Sequence, residues 1–98
     1  MIRHTVIFTF KPDVPAAAVA SALDNARSSL PNIPGVLSFS IGEDLGLQPG
    51  RSGDMAVVAE FQTVNDVKAY LNHPIHLEYI AHSLAPIVDK RISVQFQV

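Results

Sequence analysis

The segment of the chain best suited to chemistry is "AYLNHPIHLEYIAH", residues 69–82, which holds three of the four histidines and both tyrosines. Imidazole and phenol groups exchange protons or hydrogen-bond substrates. The segment also contains Pro74, and proline is favoured in the first turn of a helix but cannot continue one. These residues predict either an acid–base site or a kinked helix whose histidines have structural roles.

The four histidines have different expected roles. His73 precedes Pro74, so we expect it to cap the helical segment that begins there. His82 lies six residues after His76, on another face of the helix, and is expected to face solvent. His4 lies among apolar residues of a predicted strand, a position typical of a hydrogen-bonded core histidine.

His76 is the histidine that does not fit a purely structural role. If Pro74 is the first helical residue, His76 falls in the first turn, one turn before the inward-facing Ile80. The positive end of the helix dipole and partial burial both disfavour an imidazolium there. We therefore expect a neutral imidazole, which is able to accept a proton as a general base.

Other kinds of site have weaker support. His73 and His76 are three residues apart, as two metal ligands on a helix are, but Pro74 separates them. The nearest acids, Glu78 and Asp89, do not complete a metal site. The chain has no cysteine, which excludes disulfides, thiolate nucleophiles and the usual structural zinc sites. The loop "GLQPGRSG" lacks the ending of a phosphate-binding loop. A serine nucleophile stays open, although no nucleophile-elbow motif is present.

Composition indicates one compact domain over residues 1–98, with 48% apolar and 16% charged residues. The net charge of −2 and the scattered Lys and Arg residues argue against a nucleic-acid partner. No apolar run is long enough to span a membrane, and the N-terminal pattern is unlike a signal peptide. We expect a cytoplasmic protein, and its small core makes association with a second copy useful.

Alternating apolar residues predict four strands. They extend over residues 2–11, 36–45, 54–61 and about 90–98. In the first strand, His4, Val6 and Phe8 share the apolar face. In the last strand, the apolar face is expected to carry Ile92, Val94, Phe96 and Val98.

Helical spacing predicts two helical regions between these strands. The first begins near Asp13, a candidate cap, and Pro15, and ends at the prolines and glycine of residues 31–35. Its predicted inward residues are Val19, Ala22, Leu23, Ala26 and Leu30. The second begins at the Thr63-x-x-Asp66 capping pattern, breaks at Pro74 and continues to about residue 84. Its predicted inward residues are Val64, Val67, Leu71, Leu77, Ile80 and Leu84.

The order of elements, strand, helix, strand, strand, helix, strand, predicts a ferredoxin-like plait. This α+β fold has a four-stranded antiparallel sheet with the helices on one face. The opposite face is expected to carry Thr5, Ile7, Thr9, Ser38, Ser40, Ala56, Val58, Ser93, Gln95 and Gln97. These side chains are small, with few charges, whereas a water-facing sheet carries more Lys and Glu. We expect two copies to pack sheet to sheet into a barrel, with a solvated face as the alternative.

Three segments carry a family resemblance: "RHTVIFTFK", "AEFQTVNDVKAYLNHPIHLEYI" and "RISVQFQV". Together they resemble the stress-responsive A/B barrel (Dabb) family, and the similarity covers essentially the whole chain. Its most specific element is Tyr70 followed by His73-Pro74-x-His76. The resemblance implies a ferredoxin-like fold that forms a homodimeric α/β barrel.

Among characterised members, the chain is most similar to the plant polyketide cyclases of the olivetolic acid type. That resemblance implies His76 as the general base and Tyr70 as the donor that polarises the substrate. It implies no metal or organic cofactor. The pocket wall that it implies consists of His4, Val6, Phe8, Val57 and His73.

Two departures from the cyclase branch bear on the shape of the pocket. Met55 stands where that branch has a further histidine. The first helix offers Ala22, Leu23 and Ala26 where that branch has aromatic residues. Both changes indicate a pocket of different shape or a different ligand.

The sequence leaves three functional hypotheses open. The first is a cofactor-free cyclase, or a related lyase or isomerase, acting on a β-dicarbonyl or polyketide-like compound. The second is a non-catalytic, stress-associated protein that binds a small apolar ligand, in which Tyr70 and His76 form a structural hydrogen bond. The third, by analogy of fold alone, is a cofactor-free oxygenase.

Overall fold

The computed structural model describes all 98 residues and contains four strands and three α-helices. In chain order these are β1 Ile2–Phe10, α1 Ala16–Ser29, β2 Ser38–Glu43, β3 Met55–Phe61, α2 Val64–Leu71, α3 Pro74–Tyr79 and β4 Val88–Gln97. A short 3₁₀ turn, Leu30–Asn32, follows α1, and a π-helical segment, Ile80–Leu84, continues α3. None of the helices combines the length and apolar character needed to cross a membrane.

The strands form one antiparallel sheet in the order β2-β3-β1-β4. Buried residues of α1, α2 and the π-helical segment join the inward residues of β1, β2 and β3 in one apolar cluster. This face of the sheet is called the inner face below, and the opposite face is called the outer face. The ferredoxin-like fold predicted from the order of elements is confirmed.

The first helix agrees with its predicted pattern on the inward side but not at its start. All five predicted inward residues are buried, from Val19 to Leu30. The N-cap is Pro15, which is extended and provides no side-chain cap. Asp13 lies two residues earlier with a φ of 61°, a left-handed conformation that Asp tolerates in turns. The prediction that Asp13 caps α1 is therefore wrong.

The second helical region begins as predicted, because the Thr63 hydroxyl accepts the Asp66 N–H at 3.2 Å. It also breaks as predicted, since α2 ends at Leu71 and α3 starts at Pro74. Val67 and Leu84 are buried, but Val64 and Leu77 are 55% and 51% exposed, so their predicted inward positions are wrong. The other buried positions of this region are occupied by the two tyrosines, Tyr70 and Tyr79.

The orientation of β4 is the main difference from the sequence prediction. Its pairing with β1 sets Gln95 opposite His4, Ser93 opposite Val6 and Arg91 opposite Phe8. Directly paired residues share a face of the sheet, so these polar side chains lie on the inner face. The expectation that Ser93, Gln95 and Gln97 lie on the outer face is therefore wrong.

The apolar residues of β4 lie on the outer face, opposite Arg3, Thr5 and Ile7 of β1. Ile92, Val94 and Phe96 are 70%, 56% and 43% exposed. Val98, which follows the strand, is also exposed. The outer face is thus more apolar than predicted, and its apolar residues are left uncovered by the helices of the same chain.

Candidate functional site

A cavity of about 400 Å³ lies between the inner face of the sheet and the helical residues that follow Tyr70. Of the predicted wall residues, His4, Val6, Phe8 and Val57 line it, together with both candidate catalytic residues, Tyr70 and His76. Its volume falls within the range of pockets that hold small ligands.

The histidine before the helix break lies outside this cavity lining. The His73 Nδ1 atom accepts the Ile75 N–H at 3.2 Å, which caps α3. Its predicted capping role is confirmed, but the structure does not place it on the pocket wall. His82 is exposed, as expected. No group of three or more His, Asp or Glu side chains is arranged to hold a metal ion.

The break between α2 and α3 orients His76. Because α2 ends at Leu71, the Leu71 carbonyl lacks a helical partner, and the His76 Nδ1 atom lies 3.1 Å from it. A carbonyl only accepts hydrogen bonds, so Nδ1 carries the ring proton and Nε2 carries the lone pair. Nε2 has no protein partner, yet no buried side-chain nitrogen is unpaired, so Nε2 is solvent-accessible in a side chain that lines the cavity.

The environment of His76 favours the neutral ring. Burial lowers its pKa below the usual value of 6.5. The hydrogen bond to the Leu71 carbonyl acts in the opposite direction, and the positive charge of Arg91 lowers the pKa further. His76 is therefore a neutral base near pH 7, with its free lone pair facing the cavity.

Tyr70 lies beneath His76, with their ring centroids 4.6 Å apart, and also contacts Phe61 at 5.1 Å. Its side chain is only 1% exposed, yet its hydroxyl has no protein partner and is not buried, so the hydroxyl also opens to the cavity. Burial raises its pKa well above 10, so the phenol stays protonated and able to donate. The hydrogen bond between Tyr70 and His76 that the non-catalytic hypothesis predicted is absent, and the Nδ1 atom of His76 pairs with the Leu71 carbonyl instead.

His4 presents a third polar atom to the cavity. Its Nδ1 atom lies 2.8 Å from the Gln95 amide nitrogen. An amide nitrogen only donates, so His4 Nδ1 accepts and Nε2 carries the proton. Burial, and the positive charge on His76 when it is protonated, lower the pKa of His4 and keep it neutral. Its Nε2–H group has no protein partner and is open to the cavity.

Sequence reasoning did not place Arg91, Ser93 and Gln95 in the site, although all three line the cavity. The prediction from alternation in β4 placed its apolar residues on the inner face and therefore placed these polar residues on the outer face. The signal that locates them is the pairing register with β1, which a single strand does not reveal.

Tyr79 anchors the helical wall of the cavity. Its hydroxyl donates to the Ala22 carbonyl at 2.8 Å and joins α3 to α1. Burial raises the pKa of Tyr79 to about 12, so this donor stays protonated near neutral pH. The two tyrosines therefore differ, because the hydroxyl of Tyr79 is paired within the protein and that of Tyr70 is open.

The chain is a ferredoxin-like protein with a cavity that two histidines and two tyrosines line. Residues 2–98 match the model of the stress responsive A/B barrel domain, Dabb, and the chain belongs to this family. The resemblance read from the three sequence segments is confirmed at the level of the family. None of the curated proteins compared with the chain is significantly similar to it.

Solved structures share the fold over nearly the whole chain. A dimeric ferredoxin-like protein of unknown function from Thermobifida fusca is 34% identical, with a TM-score of 0.89 over 99% of this chain and 90% of that chain. A Dabb family protein from Mesorhizobium loti is 26% identical, with a TM-score of 0.84 over 99% and 95%. The hydroxynitrile lyase of Passiflora edulis is 22% identical, with a TM-score of 0.82 over 99% and 92%, which shows likeness of fold alone.

Proposed function

We propose that the cavity binds a small, largely apolar carbonyl compound and that His76 removes a proton from it. The protein would then be a cofactor-free cyclase or lyase acting on a β-dicarbonyl or polyketide-like substrate. The observation that supports this proposal is the tautomer of His76. The Leu71 carbonyl holds the proton on Nδ1 and leaves the Nε2 lone pair open to the cavity.

The proposed chemistry uses three open polar atoms. His76 Nε2 takes the proton of a carbon flanked by two carbonyls, and the electron pair moves onto a carbonyl oxygen. The enolate oxygen then accepts hydrogen bonds from the Tyr70 hydroxyl and from His4 Nε2–H. In a cyclase the enolate carbon attacks a second carbonyl, and the imidazolium of His76 returns its proton to the new alkoxide.

Distances within the cavity are compatible with one substrate contacting all three groups. The Tyr70 ring centroid lies 4.6 Å from that of His76 and 6.1 Å from that of His4. The Tyr70 ring therefore adjoins both the proposed base and the second proposed donor, which would allow one enolate oxygen to meet both donors. The apolar remainder of the wall, which includes Val6, Phe8 and Val57, would bind the body of the substrate.

The comparisons support the proposal by analogy only. The polyketide cyclases that the sequence resembles close carbon chains by aldol chemistry, and a hydroxynitrile lyase shares the fold. Fold likeness does not transfer an activity, so the weight rests on the open atoms of the cavity.

The proposal is tested with 5-nitrobenzisoxazole, an apolar probe that a base opens by removing its C–H proton. The N–O bond breaks to give a coloured phenolate. His76→Gln is expected to lower the elimination rate at about pH 7.5 by about a hundredfold or more. His82→Gln is the matched control and should eliminate at the wild-type rate. A His76→Gln protein as fast as wild type would contradict the proposal.

A second candidate function is ligand binding without turnover, in a protein with a role in stress. It is favoured by the largely apolar lining of the cavity, which suits hydrophobic molecules whether or not they react. The same assay separates the two functions. If the probe binds to the wild-type protein and displaces other ligands but is not opened faster than in buffer, binding alone is the function.

We further propose that two copies pair through their outer faces into a barrel. The support is the exposed row Ile92, Val94 and Phe96, which is too apolar for a face that only meets water. The T. fusca protein and a similar protein from Bacteroides fragilis, 26% identical, are described as dimeric. Pairing of this kind leaves the cavity of each copy on the other side of its sheet.

A further inference from the structure

Arg91 is a cation of the cavity that the mechanism above does not use. It is paired with Phe8 across the sheet and lines the same cavity as His76. The chain's single ion pair joins Arg3 to Glu60, so Arg91 forms no salt bridge, and its guanidinium makes no hydrogen bond within the protein. Arg91 is exposed, and the five donors of this always-charged group are free of protein acceptors and available to a ligand in the cavity.

The other residues that line the cavity offer Arg91 no counter-charge. No Asp or Glu is among them, and the two histidines of the wall, His4 and His76, have lowered pKa values that keep them neutral. The formal charge of the lining near pH 7 is therefore the single positive charge of Arg91. An anionic ligand would supply the acceptor that the protein lacks.

The cavity is also divided into two walls of different polarity. Val6 and Phe8 of β1 and Val57 of β3 form an apolar wall, whereas Arg91, Ser93 and Gln95 alternate along β4 as a polar strip. At about 3.3 Å per residue, Arg91 lies about 13 Å along the strand from Gln95, which holds His4. A ligand that follows this strip would be an elongated molecule with an apolar side and a charged end.

We propose that the ligand of the cavity carries a carboxylate and that Arg91 binds this group. The substrate class is thereby narrowed to carboxylate-bearing carbonyl compounds with an apolar body, such as β-keto acids. This inference rests on the proposed function, because His76 must act on the carbonyl part of the same molecule. A single planar guanidinium matches a carboxylate in charge and in its paired hydrogen bonds.

The test compares three probes with the same eight-carbon chain: octanoate, octanamide and octyl phosphate. Their dissociation constants are measured by isothermal titration calorimetry. Wild type is expected to bind octanoate about tenfold more tightly than octanamide, the ratio that one charge-assisted contact gives. Arg91→Gln should bind these two probes with equal affinity. Lys68→Gln, which removes an exposed lysine from α2, is the matched control and should keep the wild-type ratio.

Four outcomes would overturn the carboxylate site. They are equal binding of octanoate and octanamide to wild type, a tenfold preference that survives in Arg91→Gln, no binding of either probe, or tighter binding of octyl phosphate than of octanoate. The last outcome would point to a phosphate ligand. Arg91→Lys keeps the charge but loses the planar fork, so an intermediate preference is expected.

Failure of the carboxylate site is distinguishable from failure of the proposed function, because octanoate binding involves no proton transfer. A wild-type protein that prefers octanoate but does not open 5-nitrobenzisoxazole would contradict the base and leave the carboxylate site standing. A protein that opens the probe but shows no preference for octanoate would contradict the assignment of Arg91 alone.

Discussion

The two faces of the sheet differ in what covers them and in what they carry. The inner face is covered by helices over β1, β2 and β3, and it holds the buried His4, which is hydrogen-bonded to the exposed Gln95 of β4 beside a cavity. The outer face has no cover from its own chain and holds Ile92 and Val94, which are 70% and 56% exposed. Along β4 the polar residues Arg91, Ser93 and Gln95 lie on the cavity side and the apolar residues lie on the opposite side, and both sets are exposed within one chain.

Exposure within one chain therefore does not determine the polarity of each side of β4. The inner side of the strand adjoins a cavity instead of a filled core. An exposed side that meets only water is polar, and an exposed apolar side indicates a surface that another molecule covers. We propose that the two sides of β4 differ because the inner side meets a ligand and the outer side meets a second copy of the chain.

The largest expected effect comes from disrupting the proposed contact between the outer faces of two copies. Val94→Asp would place a carboxylate at the proposed contact in each copy, and an unpaired buried charge costs several kcal/mol. The dimer dissociation constant should rise about a hundredfold or more in sedimentation equilibrium. Leu45→Asp, which changes an 84% exposed loop residue, is the matched control and should leave it unchanged. A wild-type protein that is monomeric at micromolar concentration would contradict the proposed dimer.

On the inner face, substitutions of the two tyrosines are expected to change different quantities, the elimination rate for Tyr70 and the free energy of unfolding for Tyr79. Tyr70→Phe removes a hydroxyl that has no protein partner, so the elimination rate of 5-nitrobenzisoxazole should fall about tenfold to a hundredfold, the value of a hydrogen bond to a charged oxygen. The free energy of unfolding should stay unchanged. Tyr79→Phe, in contrast, loses the bond to the Ala22 carbonyl and should cost about 1 kcal/mol in urea unfolding. Equal loss of stability in both variants would contradict an open Tyr70 hydroxyl.

A smaller effect is expected from Gln95, which acts through His4. Gln95→Leu leaves His4 free to place its proton on either nitrogen, so the elimination rate should fall severalfold, less than the effect of losing a direct donor. In Gln95→Glu, a carboxylate beside Nδ1 should raise the pKa of His4, which is followed by histidine NMR titration. Gln97→Leu is the matched control, because Gln97 follows on the same face but does not line the cavity. Identical His4 titration in Gln95→Glu and wild type would show that the two side chains do not interact.

The smallest expected effect is a pH dependence of stability that arises from the two histidines of the inner face. Burial lowers the pKa of both His4 and His76, so the unfolded chain binds more protons than the folded one below about pH 6.5. Stability is then full above the unfolded pKa and is lost as the pH falls through the folded pKa values. Urea unfolding at about pH 7.5 and about pH 5 should show this loss, and it should be reduced in His4→Gln. An equal loss in both proteins would exclude a contribution from His4.

Much of the fold follows from local patterns in the sequence. The inward residues of α1, from Val19 to Leu30, were predicted completely, since helical spacing and the neighbouring sheet impose the same requirement. The cap at Thr63 and the start of α3 at Pro74 were also predicted, because each depends on the chemistry of residues only a few positions apart.

The candidate site was predicted less completely. Tyr70 and His76 both line the cavity, but the hydrogen bond considered for them is absent, and their rings meet at a tilt of 48°. The partner of His76 is a backbone carbonyl, that of Leu71, and its availability depends on where α2 ends. No side-chain pattern in the sequence shows this partner.

By itself, the sequence determined the order of elements, the break at Pro74 and the types of residue available for proton transfer. The tertiary structure alone decided which side of β4 meets the cavity. Alternation fixes only that neighbouring residues point to opposite faces, and the pairing of Gln95 with His4 assigns each set to its face. That single register places Arg91 beside the proposed base and leaves Val94 for a second copy.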